Sequence, residues 1–143
     1  MRLPASISLC FALVLLHVPA ATARPSVPPS VAAFLSALDA LAKADERPEG
    51  ISVDANIARI KPLLQQVVDA ETNTNRIDLN AIYPGLGDHF VDEAAAHARF
   101  VLKAIDGQDD DALTRAAATI LNWQKWWNAN KTNVQSTIFN KYG

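Results

Sequence analysis

The stretch Asp88–Gly107, DHFVDEAAAHARFVLKAIDG, decides the fold class. Val91, Ala94, Ala95, Ala98, Val101, Leu102 and Ile105 recur at spacings of three and four, which places them on one face of an α-helix and does not fit the alternation of a strand. Asp88 can cap the unpaired amides of a first turn, and Gly107 suits the left-handed position that follows a helix. The small side chains on this face allow neighbouring helices to approach closely.

The flanking segments repeat the pattern. Downstream, acids at Asp109–Asp111 favour the positive end of a further helix, and Leu113, Ala116, Ala117, Ile120, Trp123 and Trp127 carry an apolar stripe to about Asn128. Val134, Ile138, Phe139 and Tyr142 then predict a short final helix. Upstream, Asp54 is a candidate cap for a helix bearing Ile57, Ile60, Leu64 and Val67, with Leu63 and Val68 widening the face. Pro62 predicts a kink or two shorter helices there, because an interior proline removes one helical hydrogen bond. Before the charged connection Asp45–Gly50, Ser30 is a candidate cap for a helix to about Ala44, with Val31, Phe34, Leu35, Leu38 and Leu41 on one side. Glu71–Gly87 lacks a clear period and reads as a long irregular segment. Its Ile77, Leu79, Ile82, Tyr83 and Leu86 are too apolar for a free loop and are expected to cover one end of the molecule. The expectation is an all-α, up-and-down helical bundle of four main helices with a short C-terminal helix and no disulfides.

The ends set the compartment. Met1 and Arg2 precede an apolar run from Ile7 to Val18, Pro19 breaks it, and Ala21-Thr22-Ala23 supplies the small residues of a signal-peptidase site. The run is about a dozen residues, short of the ~20 that span a bilayer as a helix. Residues 1–23 are therefore expected to be a cleaved signal peptide, 24–29 a proline-rich leader and 30–143 the bundle domain, with a secreted or periplasmic location and no stable membrane span after cleavage. Cys10 is the only cysteine and falls inside the signal segment, so the mature chain carries no thiol and must be held by packing.

Charge and motifs narrow the function classes. The chain has 13 Lys and Arg against 15 Asp and Glu, which speaks against a nucleic-acid partner. No Gly-x-Ser-x-Gly elbow and no Cys-x-x-Cys-His run is present, so a non-enzymatic role without a cofactor is the expectation. Asp106–Asp111 lacks the alternating acids and distant glutamate of a calcium loop and reads as a turn and helix cap. Asn130-Lys131-Thr132 matches a glycosylation acceptor.

Two constellations remain. His89, Glu93 and His97 stand one turn apart on the deciding helix, a spacing used by helical metal sites, although residues eight apart rise about 12 Å and cannot both reach one ion comfortably. Tyr83, Phe100 and Trp126 are aromatics off the main stripes and are the candidate binding residues. The leading expectation is binding to another protein through these rings. The alternative is a helical bundle that binds a metal ion, a small ligand or a glycan.

Overall fold

The computed structural model describes residues 26–143. The signal peptide and the first part of the leader lie outside the described residues. Among those described the chain is all-α, with no strand, and no helix is long and apolar enough to cross a membrane.

Helix α1 (Pro29–Asp45) starts two residues earlier than a cap at Ser30 implies, with Pro29 in its first turn, where a missing N–H costs nothing. Ser30 is not its cap. It is buried, its Oγ accepts from the Asn75 amide at 3.0 Å and donates to Asp78 Oδ2 at 3.3 Å, so it joins the start of α1 to a segment 45 residues away. The face that packs is Val31, Phe34, Ala37 and Ala40, whereas Leu35 turns outward.

Helix α2 (Val53–Thr72) packs against α1 as a helical hairpin. Its cap is Ser52, not Asp54: the serine hydroxyl accepts from the Ala55 amide at 3.1 Å, and Asp54 sits in the first turn. The helix passes through Pro62 without a break. Both Pro62 and Ala58, whose carbonyl loses its partner, face solvent, and water can take up that acceptor. Arg59 closes the hairpin by donating to the Lys43 carbonyl at 2.8 Å and the Ala44 carbonyl at 3.3 Å, which satisfies acceptors left over at the end of α1.

The segment expected to be irregular is largely helical. Asn75 caps α3 (Arg76–Ile82) by accepting from the amides of Ile77 and Asp78. Leu79 is fully buried, but Ile77 is 76% exposed and covers nothing. Gly85, at φ +84°, turns the chain into α4 (Leu86–His89), which runs through a π-helical segment (Phe90–Ala95) into α5 (Ala96–Asp106). The cap of this long run comes from Asn80, whose Oδ1 accepts from Gly87 at 2.7 Å and Asp88 at 3.2 Å. Gly87 is required by contact: a Cβ there would stand 2.1 Å from the Arg76 carbonyl oxygen. Arg76 then grips Asp88 and Asp92 at 2.8 to 3.0 Å.

The end of α5 departs from the glycine rule. Gly107 keeps φ −85°, and Gln108 takes the left-handed position at φ 51°. The Gln108 amide bonds the Ile105 carbonyl and the Asp109 amide the Ala104 carbonyl, the paired bonds of a Schellman turn. Asp109 caps α6 (Asp110–Thr119) through Ala112. The expected fourth helix stops there. The Thr119 hydroxyl donates to the Ala116 carbonyl at 2.7 Å, the acceptor that the Ile120 amide would otherwise use, and the helix breaks. Helix α7 (Leu121–Tyr142) then absorbs both the tryptophan cluster and the expected short final helix.

The core lies where α1, α2, the π segment and α7 meet. Phe34 and Phe90 pack edge to face at 5.4 Å, Phe90 meets Trp123, and Leu79, Leu86, Val31, Val67 and Val134 complete the fully buried set. Ala94, Ala95 and Ala98 are wholly buried, as their small size on the deciding helix implies.

Candidate functional site

The sequence-derived candidates separate into one cluster and two outliers. Tyr83, His89, Glu93 and Trp126 come together. His89 Nδ1 lies 2.7 Å from Glu93 Oε1, so the imidazole N–H donates to the carboxylate. The His89 ring stacks on Trp126 with centroids 4.5 Å apart and planes at 17°. Tyr83 meets Trp126 edge to face, and its hydroxyl donates to Asn130 Oδ1 at 2.9 Å, while Asn130 Nδ2 donates to the Trp126 carbonyl at 2.8 Å. Both polar ends of Asn130, the candidate glycosylation residue, are thus engaged within the protein. The local causes are plain: Gly85 provides the tight turn that puts Tyr83 and His89 on the same side, and α7 supplies Trp126 and Asn130 one turn apart. All of these side chains are half-buried. Beside them is a shallow hollow of about 330 Å³ lined by His89, Glu93, Asn122, Lys125, Trp126, Ala129 and Asn130.

His97 and Phe100 lie apart from this cluster. Phe100 is half-buried against the core. His97 turns to α6, with Nδ1 2.6 Å from Thr119 Oγ1. The histidine–glutamate row is therefore split: its first two members pair with each other and its third with a threonine. Among the described residues no three or more His, Cys, Asp or Glu side chains gather as a metal ion would need.

What the sequence reading missed is larger. A cleft of about 1170 Å³ opens between the α1–α2 hairpin and the α6–α7 pair. Its deep residues are Leu64, Val101, Ala116 and Trp123, which are buried. Half-buried Leu41, Ile57, Ile60, Leu113, Ile120 and Trp127 form the walls. Trp123 and Trp127 stack at 5.4 Å with planes at 10°, and Trp127 meets Phe34 edge to face, so the aromatic wall is braced from behind. Asp45, Arg47, Asp54, Asp110 and Lys131 mark an exposed, charged rim.

His97 lines this cleft together with Val101, one turn along α5. Burial disfavours the charged imidazole and moves its pKa below the ordinary histidine value of 6.5, so the ring is neutral at neutral pH. A cleft with an aliphatic and aromatic floor, and with polar side chains such as Asn56, Thr114, Gln124 and Asn128 also in its lining, can hold a largely apolar molecule and orient it. A signal for it was present in the sequence: the alanine-rich ALTRAAAT of α6 is set against the wide face of Ile57, Ile60 and Leu64, and small side chains opposite large ones on only one side leave space.

Elsewhere, Arg76 beside Asp88 and Asp92 holds both carboxyls below the usual aspartate range, chiefly through its hydrogen bonds. All three groups are exposed, and the trio fastens α3 to the start of the long helix. Comparison of the chain with protein-family models, with curated proteins and with solved structures finds no match.

Proposed function

We propose that this chain is an exported, non-enzymatic binding protein whose guest is a small, largely apolar molecule held in the cleft between the α1–α2 hairpin and α6–α7. The observation that carries the reading is the cleft itself: about 1170 Å³, apolar in its depth, with stacked Trp123 and Trp127 on one wall. Its volume is at or above the range of about 300–1,000 Å³ that accommodates drug-sized ligands. Export is supported by the positive start, apolar run and Ala21-Thr22-Ala23 of the N-terminal segment.

The test is a titration of the purified protein with 1-anilinonaphthalene-8-sulfonate, followed by quenching of tryptophan emission. Saturable, one-to-one binding is expected. Ala117→Trp, at a solvent-exposed α6 position on the cleft, should abolish it while leaving the melting temperature and near-ultraviolet circular dichroism unchanged. Binding that does not saturate, or that survives Ala117→Trp in full, overturns the reading.

A second reading keeps a protein partner and uses the other side of α7. The half-exposed Trp126 and the hollow beside it offer an aromatic anchor next to Lys125 and Asn122. On this reading, Trp126→Ala abolishes stoichiometric capture of one protein from the exported fraction and leaves the naphthalene probe's affinity unaltered.

A further inference from the structure

The hydrogen bonds around His97 determine which of its nitrogens is free. Thr119 Oγ1 donates its single proton to the Ala116 carbonyl, 2.7 Å away. A hydroxyl has one proton and two lone pairs, so toward His97 it can only accept. With the Thr119 proton on the Ala116 carbonyl, His97 Nδ1, at 2.6 Å, is the nitrogen that carries the hydrogen. In the neutral ring the other nitrogen, Nε2, is then a bare lone pair. No group among the described residues bonds to it, and the residue lines the cleft.

We infer that Nε2 of His97 is a hydrogen-bond acceptor of the cleft, and that the guest is a largely apolar molecule presenting a hydroxyl or N–H donor to it. The inference rests on the cleft being the binding site and specifies what enters it. The backbone of α6 sets the polarity: the Ala116 carbonyl accepts from Thr119, Thr119 accepts from His97, and His97 presents the acceptor. At this point of the cleft a carboxylate or a ketone would set its lone pairs against that of Nε2, whereas a hydroxyl or an N–H bonds to it. Gln124, also half-buried on the cleft, carries both a donor and an acceptor and so discriminates neither way.

Two probes of nearly the same shape separate the possibilities: 1-naphthol, which donates, and 1-methoxynaphthalene, which does not. Wild-type protein should bind the naphthol about three- to tenfold more tightly, the span of one neutral hydrogen bond. In His97→Phe the ratio should fall to about one with the methoxy probe still bound. Equal affinities in wild type, with both probes displaced by Ala117→Trp, overturn the donor inference and leave the cleft reading standing. If neither probe binds, the cleft reading falls as well. Should His97→Phe fail to fold, the imidazole ¹H–¹⁵N spectrum of wild type decides independently: a proton on Nδ1 supports the assignment and a proton on Nε2 overturns it.

Discussion

The two sides of α7 both carry tryptophan and have different fates. Trp126 faces His89, Tyr83 and Asn130, where the ring is stacked and the polar atoms around it bond to one another. Trp123 and Trp127, three residues and one residue away from it in the same run of sequence, look onto a cleft that no side chain fills. The difference lies in what stands opposite. On the first side the Tyr83–His89 turn brings large rings up to the helix. On the second, α6 offers alanines and ends at Ile120. Aromatic content alone therefore does not mark a binding site; the volume of the facing residues does.

Substitutions on either side of α7 test this contrast. The largest effect is expected at Trp123, which is buried and touches Phe90, Trp126 and Trp127. Trp123→Ala should cost about 3–5 kcal/mol of unfolding free energy in urea. A loss under ~1 kcal/mol would mean that the cleft wall is not part of the core and would dissolve the distinction between deep wall and open space. On the partnered side, Trp126→Ala should cost less, about 1–2 kcal/mol, because the ring is only half-buried, although it loses a stacked contact with His89, an edge contact with Tyr83 and a tilted one with Trp123. Equal costs at the two tryptophans would show that both sides are packed alike.

Tyr83→Phe tests the polar half of that side. It removes the bond to Asn130 and should lower stability by about 0.5–1.5 kcal/mol without affecting probe binding in the cleft. A control remote from both sides is Gln108→Gly, which relieves a side chain at φ 51° and should raise stability by roughly 0.5–1 kcal/mol.

The smallest effect is a pH dependence specific to the cleft side. His97 binds its proton less readily folded than unfolded, so the unfolded chain takes up more protons as pH falls below 6.5. Its contribution is complete above that pH and is lost progressively on acidification toward the lower folded value. Thermal melts between pH 7.5 and 5 should show this decline in wild type and a shallower one in His97→Phe. The carboxyls of Asp88 and Asp92, lowered by Arg76, act in a separate window: their support is present above the ordinary aspartate value and fades as pH drops through their folded values.

Most of the helical content was legible in the sequence, because burial on a helix imposes a period that a linear pattern reveals. Val31 and Phe34, Leu64 and Val67, and Val101 and Leu102 are buried as their spacing requires. Errors arose where a polar group had two partners to choose from. Ser30 carries the chemistry of a cap and spends it on Asn75 and Asp78; Ser52 caps where Asp54 was expected; Thr119 takes a carbonyl and divides one helix into two. Each choice is local in chemistry and non-local in geometry, and spacing cannot rank the competitors. Of the candidate site residues, the pairing of His89 with Glu93 follows directly from their separation of four, while the stacking of Trp126 on His89 depended on where α7 would lie.

The sequence by itself determined the class of fold: helical periods, caps rich in Asp, Asn and Ser, and alanine faces that permit close packing. Those properties belong to single segments and survive whatever the segments do next. The π turn within the stretch 88–107, the division of the tryptophans between a packed side and an open one, and the spare nitrogen of His97 arise only in the packed molecule. A cleft is a deficit of volume summed over several helices at once, and a free lone pair is what remains after every neighbour has bonded. Neither is a property of any one segment, so both become visible only when the elements have been brought together.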